Sequence, residues 1–211
     1  MAAVMTGRLG LRIGITQRRL PATATSFTRD ALDADWSTWF RTHWPGVAYV
    51  PVPNFEQPEE ALAYVAVWGL NGFVFSGGED PGSSPARDAV EAALLDHAVR
   101  HRLPLLGICR GMQVLHRYSG GALAEQPGHL GMMHGVQANG GLVQVNSWHR
   151  LTITELALGW RALAVAEDGT IEAMQHLNLP LLGLMWHPER VRGERDPSCA
   201  WIDSLFGLAP R

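Results

Sequence analysis

Short apolar runs alternate with longer amphipathic stretches over the first half of the chain, the pattern of strands separated by helices. The periodicity predicts a strand at 11–16, a helix at 30–40 and a strand at 47–50 closed by Pro51. A helix at 59–68 and a strand at 72–75 follow, the latter leading into Gly77-Gly78. A long helix is predicted from Ser84, as its cap, to residue 101, with Pro85 in its first turn. The next apolar run, 103–108, ends at Cys109, and a helix continues to about Tyr118. After Gly120-Gly121 the texture changes to short strand-like pieces at 142–145, 151–154, 162–165 and 171–174, which suit an antiparallel or mixed segment built onto the main sheet. Residues 124–137 read as an irregular stretch that covers the site. A buried strand at 181–186 runs into His187-Pro188-Glu189. The expectation is an α/β fold: one domain over 1–211, with an open, mostly parallel sheet, helices on both faces and the added antiparallel segment.

Composition narrows the function classes. A length of 211 residues suits one domain with a core of its own, and 46% hydrophobic with 18% charged residues is ordinary for a globular chain. A net charge of −3 offers no polybasic surface for nucleic acid or an anionic membrane. Two cysteines cannot make a disulfide framework, which points to a reducing cytoplasm. The segment Met1-Ala2-Ala3-Val4-Met5-Thr6-Gly7-Arg8 lacks a long apolar stretch, so neither a signal peptide nor a membrane span is expected. Nine histidines are present, but His129, His134, His149 and His187 show no tight ligand spacing, so neither metal nor cofactor is expected. Cys199, near the start of a predicted C-terminal helix, reads as a buried structural thiol, and the eight scattered Trp as core and rim packing.

The chemistry concentrates at Gly107-Ile108-Cys109-Arg110-Gly111. A Gly-x-Cys-x-Gly frame after an apolar strand is the thiol form of a nucleophile elbow, where a strand turns sharply into a helix. The glycines let the backbone pass close to itself, and the helix N-terminus favours negative charge on the sulfur. The alternative is a buried structural cysteine after a core strand. A thiol nucleophile needs a base, and the base needs a group that fixes its tautomer. His187 and Glu189 are the right types at a strand end, with Pro188 stiffening the turn between them.

These segments resemble the class I (triad) glutamine amidotransferases and their γ-glutamyl hydrolase relatives, with Cys109-Arg110-Gly111 closest to the γ-glutamyl-γ-aminobutyrate hydrolase group. Phe75-Ser76-Gly77-Gly78-Glu79-Asp80 looks like the oxyanion loop of that family, Asn146-Ser147-Trp148-His149 like its Asn-Ser-x-His segment, and Asp168-Gly169-Thr170-Ile171-Glu172-Ala173 like its Asp-Gly-x-x-Glu strand turn. The resemblance implies a flavodoxin-like fold and a Cys109-His187-Glu189 triad that cleaves a γ-glutamyl amide through a thioester. It further implies an oxyanion hole from the backbone N–H groups of Gly78 and Arg110, and substrate contacts at Gly77, Gln113, Ser147 and His149. Arg150 and Met185 stand where the family favours Gln, which bears on substrate specificity. The N-terminal pattern around Thr16-Gln17-Arg18 and Arg29–Trp36 resembles a subgroup associated with surface-polysaccharide biosynthesis. There the amide cleaved belongs to a nucleotide-linked amino alcohol, and Arg18 and Arg29 would meet a phosphate.

Three functions compete on this reading. The first is a stand-alone hydrolase of small-molecule γ-glutamyl amides, alone or as a homodimer. The second is a glutaminase subunit that passes ammonia to a synthase partner. The third is a scaffold or sensor without chemistry, against which the intact Cys, His and Glu set argues.

Overall fold

The computed structural model describes residues 10–191 and 196–208, so the reading of Met1–Arg8 lies outside the described residues. The N-terminal half contains β1 (Arg12–Thr16), β2 (Arg18–Leu20), β3 (Arg29–Ala31), α1 (Asp35–His43), β4 (Ala48–Val52), α2 (Pro58–Trp68), β5 (Gly72–Phe75) and α3 (Pro85–His101). Next come β6 (Leu105–Ile108), α4 (Arg110–Tyr118), β7 (Ala124–Glu125), β8 (Leu130–Ala138), β9 (Gly141–Trp148) and β10 (Leu151–Thr152). The chain closes with β11 (Trp160–Ala166), β12 (Ile171–His176), β13 (Leu181–Leu184), a 3-10 turn (Pro188–Arg190) and α5 (Cys199–Leu205).

The main sheet has nine strands in the order β4-β1-β5-β6-β13-β12-β11-β8-β9. The pairings from β4 to β13 are parallel, and those from β13 to β9 are antiparallel. Strands β5, β6 and β13 are buried at every position, as uninterrupted apolar runs covered on both faces must be. One face packs the aromatic residues of α1 (Trp36, Trp39, Phe40) and Ile202 of α5 against Ile13, Ile15, Val74 and Leu106. The other face packs Val65 of α2, Leu94 and Leu95 of α3, and Leu115 of α4 against Phe73, Phe75 and Leu105. The α/β architecture, helices on both faces and antiparallel extension thus match the pattern of the sequence.

Three local expectations are corrected. The predicted helix at 30–40 starts only at Asp35, because Arg29–Ala31 pairs antiparallel with β2. Pro51 does not end its strand but lies within β4, an edge strand where a missing N–H is tolerated. The stretch 124–137 is not irregular: it forms β7 and most of β8, and β8 joins β9 through Asn139-Gly140. Both turn residues have positive φ (53° and 80°), as a two-residue hairpin turn of the primed type requires.

Candidate active site

Cys109 sits between β6 and α4 with φ 50° and ψ −103°, a strained backbone for a residue with a side chain. Its N–H donates to the Leu184 carbonyl on β13 at 2.7 Å, and its own carbonyl accepts from Gln113 N–H at 3.1 Å. The flanking glycines are there for space. A Cβ on Gly107 would stand 2.5 Å from the Gly111 carbonyl carbon, and one on Gly111 would run into the Phe75 carbonyl oxygen. The seat of Cys109 is therefore backbone packed on backbone.

The neighbouring strand delivers the base. β13 pairs with β6 in parallel, Leu184 opposite Ile108, so both chains leave the sheet at the same edge, one into Cys109 and the other into His187. His187 Nδ1 is 2.6 Å from Glu189 Oε1, and the 3-10 turn beginning at Pro188 folds the carboxylate back beside the ring. The other ring nitrogen is left for the sulfur, and Cys109 and His187 line the same cavity. Burial alone would lower the His187 pKa, but the hydrogen bonds to Cys109 and Glu189 outweigh it and push it up to about 9.

The protonated imidazole therefore stabilises the fold. Its contribution is complete below the ordinary histidine value of about 6.5 and is lost as pH rises through about 9. The thermal midpoint of the protein should fall between pH 7 and pH 10, and His187→Gln should remove much of that fall. A midpoint with the same pH dependence in both proteins would exclude the cationic His187.

Asn146 fixes the backbone that carries the base: its Nδ2 donates to the His187 carbonyl at 2.9 Å and its Oδ1 accepts from His187 N–H at 3.0 Å. The two-way clamp ties β9 to the end of β13. Gly77 lies against the ring, where a Cβ would come 2.5 Å from His187 Cε1. Gly78 has φ 147°, open to glycine, and Arg110 is the first residue of α4, so its N–H is among the donors left unpaired by helix geometry.

A cavity of about 370 Å³ opens over these groups. Cys109, His187, Glu189, Gly77 and Gly78 line it, together with Ser76, Arg18, Asp33, Trp36, Trp148 and Arg190. Arg190 spans the Trp148 ring at 5.5 Å and pairs with Asp33 at 3.3 Å. Arg18 pairs with Glu79 at 2.9 Å. Arg29 is exposed on β3 and does not line the cavity.

Other sequence-selected residues lie behind the cavity rather than in it. Gln113 is buried and donates to the Leu151 carbonyl at 2.9 Å. The Ser147 hydroxyl donates to the His129 carbonyl at 2.5 Å, and His149 faces Glu172 at 3.4 Å. The Arg110 side chain turns away from the substrate face to bind Glu91 and Asp88. Arg150 reaches Asp80 and Glu125 on the surface, and Met185 is buried beside Gln113. None of these side chains touches the cavity, so the departures at Arg150 and Met185 do not act on a bound substrate directly.

A buried charged network lies under the loop of Gly77 and Gly78, and only its i, i+4 pair, Arg87 and Glu91, is local in sequence. Arg87 Nη2 donates to the carbonyls of Ser76 at 2.7 Å and Gly77 at 3.2 Å, and Arg87 Nε to Glu91 at 2.9 Å. Glu91 also receives Arg110 and the Thr16 hydroxyl, the latter at 2.8 Å. Arg87, Glu91 and Arg110 are all buried. Together they pin the loop of Gly77 and Gly78 to the elbow that carries Cys109. The Asn146 clamp was the more legible omission, since it opens the Asn-Ser-x-His segment.

A strained cysteine at a sheet edge, with a carboxylate-held histidine on the adjacent strand, is the arrangement of the class I glutamine amidotransferases. Residues 46–201 match the glutamine amidotransferase class-I family, and the chain belongs to it. Among curated relatives, the γ-glutamyl-CDP-amidate hydrolase of Campylobacter jejuni is 30% identical over 188 residues, covering 86% of this chain and 91% of that protein. The γ-glutamyl-γ-aminobutyrate hydrolase of Escherichia coli O157:H7 is 33% identical over 142 residues, covering 53% of this chain and 56% of that protein. The crystal structure of a glutamine amidotransferase from Thermotoga maritima shares the fold with a TM-score of 0.62 at 16% identity, over 85% of this chain and 76% of that one. No helix among the described residues is long and apolar enough to cross a membrane.

Proposed function

We propose that the chain hydrolyses the γ-glutamyl amide bond of a substituted amine through a Cys109-His187-Glu189 triad. The observation that carries this reading is the pairing of a strained Cys109 with a His187 whose far nitrogen is held by Glu189 at 2.6 Å, both facing one cavity. Cys109 sulfur attacks the γ-carbonyl carbon, and the electron pair of the carbonyl moves onto oxygen. The N–H groups of Gly78 and Arg110 receive that oxyanion, each such donor being worth about 3–4 kcal/mol in comparable hydrolases. As the tetrahedral species collapses, His187 hands its proton to the departing nitrogen, and a γ-glutamyl thioester and free amine result. Water then attacks the thioester, His187 takes its proton, and glutamate leaves with Cys109 restored. Glu189 holds the ring and its positive charge throughout.

Two features favour an amine that carries phosphate. The Campylobacter jejuni relative, matched over nearly its full length, is named for a nucleotide-linked amide. Arg18 and Arg190 place guanidinium groups on the cavity wall, where they suit a pyrophosphate. The test is glutamate release by the purified chain alone from a nucleotide-linked γ-glutamyl amide, from γ-glutamyl-γ-aminobutyrate and from glutamine. The nucleotide-linked amide should exceed glutamine in kcat/KM by about tenfold or more, a difference of about 1.4 kcal/mol in transition-state binding. A preference for glutamine, or activity only with an added synthase, overturns the reading in favour of an ammonia donor.

A further inference from the structure

Away from the cavity, three segments of the chain bring the imidazoles of His129, His134 and His149 onto the carboxylate of Glu172. We propose that His129 Nδ1, His149 Nε2 and Glu172 Oε1 form a binding site for a divalent transition metal, with zinc the natural occupant.

The ligand atoms offered by His129, His149 and Glu172 all lie within 4.8 Å of one another. Glu172 Oε1 is 3.4 Å from His149 Nε2 and 3.6 Å from His129 Nδ1. These separations exceed the 2.7–2.9 Å of a charge-assisted hydrogen bond. They are close to the edge of a tetrahedron around zinc, about 3.3 Å for ligand bonds of about 2.0–2.1 Å. His129 Nδ1 and His149 Nε2 have no hydrogen-bond partner although both are buried, with Glu172 at 0% exposure, His149 at 3% and His129 at 5%. Buried polar atoms without partners are costly, so two such ring nitrogens beside Glu172 Oε1, which otherwise receives only a long 3.4 Å bond from the Thr170 hydroxyl, call for a common occupant.

The outer ring nitrogens strengthen the case. His129 Nε2 is 2.8 Å from Asp168 Oδ2, and His149 Nδ1 is 3.2 Å from the Leu151 carbonyl. Both outer partners are acceptors only, so each outer nitrogen carries the proton and each inner nitrogen of a neutral ring points a lone pair at the Glu172 carboxylate. Lone pairs facing a carboxylate repel unless positive charge lies between them. One dication satisfies all the inner atoms at once. A carboxylate and a backbone carbonyl behind the ligating histidines are the outer partners such sites use to fix the tautomer. His134 Nε2, 3.5 Å from Glu172 Oε2, stands at the second carboxylate oxygen. The ion would join the two ends of the β8–β9 hairpin to β12, where the Ser147 hydroxyl already holds the His129 carbonyl, and so act on stability rather than on substrate.

The test is cobalt and zinc binding by the whole chain after dialysis against EDTA. The wild-type protein should take up about one equivalent of cobalt with the intense visible bands of a four-coordinate ion, and zinc should displace it and raise the thermal midpoint. His149→Gln and Glu172→Gln should lose the bands. Cys109→Ser, at the catalytic cysteine, and His97→Gln, which breaks the His97–His101 pair on α3, should keep them. The wild-type titration decides the matter even if a ligand variant fails to fold: no bands and no change in midpoint overturn the site. Bands that survive in His149→Gln, or vanish in Cys109→Ser or His97→Gln, place the ion elsewhere and also overturn it.

Discussion

Cys109→Ser should lower glutamate release from a γ-glutamyl amide by at least about 10³-fold while leaving the thermal midpoint near that of the wild type at neutral pH. Serine has nearly the volume of cysteine and can occupy the same turn, so the strained φ of 50° and the N–H bond to Leu184 persist. What is lost is nucleophilicity, because a hydroxyl does not ionise near neutral pH and His187 alone cannot make it a comparable attacking group. The elbow also predicts a secondary effect. Cys109 is one of the groups that hold the His187 proton, so the serine variant should lose less stability at alkaline pH. Steady-state glutamate release and melting curves on the two proteins give both readings. Residual activity within tenfold of the wild type would remove Cys109 from the nucleophile's role.

The largest effect on stability is expected at Glu91. This carboxylate is fully buried and receives Arg87 and Arg110, two cations that repel each other across it. Burial opposes its charge, but Arg87 and Arg110 outweigh that and hold it below the ordinary carboxylate range. Glu91→Gln keeps the shape and removes the charge, leaving two buried guanidiniums with only the partly exposed Glu79 and Asp88 as counter-ions. Breaking a buried ion pair from one side costs about 3–5 kcal/mol, a fall of roughly 6–20 °C in melting temperature for a chain of this size. Activity should fall as well, because Arg87 holds the carbonyls of Ser76 and Gly77 that set the oxyanion loop. Glu56→Gln, at a pair with Arg19 on the surface, is the control and should change the midpoint by less than about 2 °C. Equal midpoints for the two variants would show that the buried network does not support the fold.

How much of this was legible in the chain depends on how local each feature is. The elbow glycines lie within two residues of Cys109, and Glu189 lies two residues from His187, so within each segment spacing alone carries the geometry. The parallel half of the sheet was legible because its central strands are buried on both faces and read as uninterrupted apolar runs. The β8–β9 hairpin was hidden by scattered glycine and histidine, although Asn139-Gly140 is the turn signal that would have located it. The substrate contacts expected at Gln113, Ser147 and His149 were implied by the family resemblance of their segments. In the structure Gln113 donates to the Leu151 carbonyl, Ser147 donates to the His129 carbonyl, and His149 faces Glu172. In the Arg87–Glu91–Arg110 network only Arg87 and Glu91, one helical turn apart, are neighbours along the chain, and the residues of the His129–His149–Glu172 cluster were visible singly but not as a cluster. Each joins segments that only the fold makes neighbours.

The packing of Gly107 and Gly111 has a consequence for how this protein can vary. Every single-base change that replaces a glycine codon with another amino acid adds at least a Cβ, and at these two positions that carbon collides with main chain that has nowhere to go. The cysteine's seat is thus isolated in mutational space, with no viable neighbour one step away. The wall built by Arg18, Trp148 and Arg190 consists of side chains on a strand, a strand end and a turn, and can be exchanged piecemeal. Lineages descending from such a chain should diverge in the amine they release long before they diverge in the bond they break.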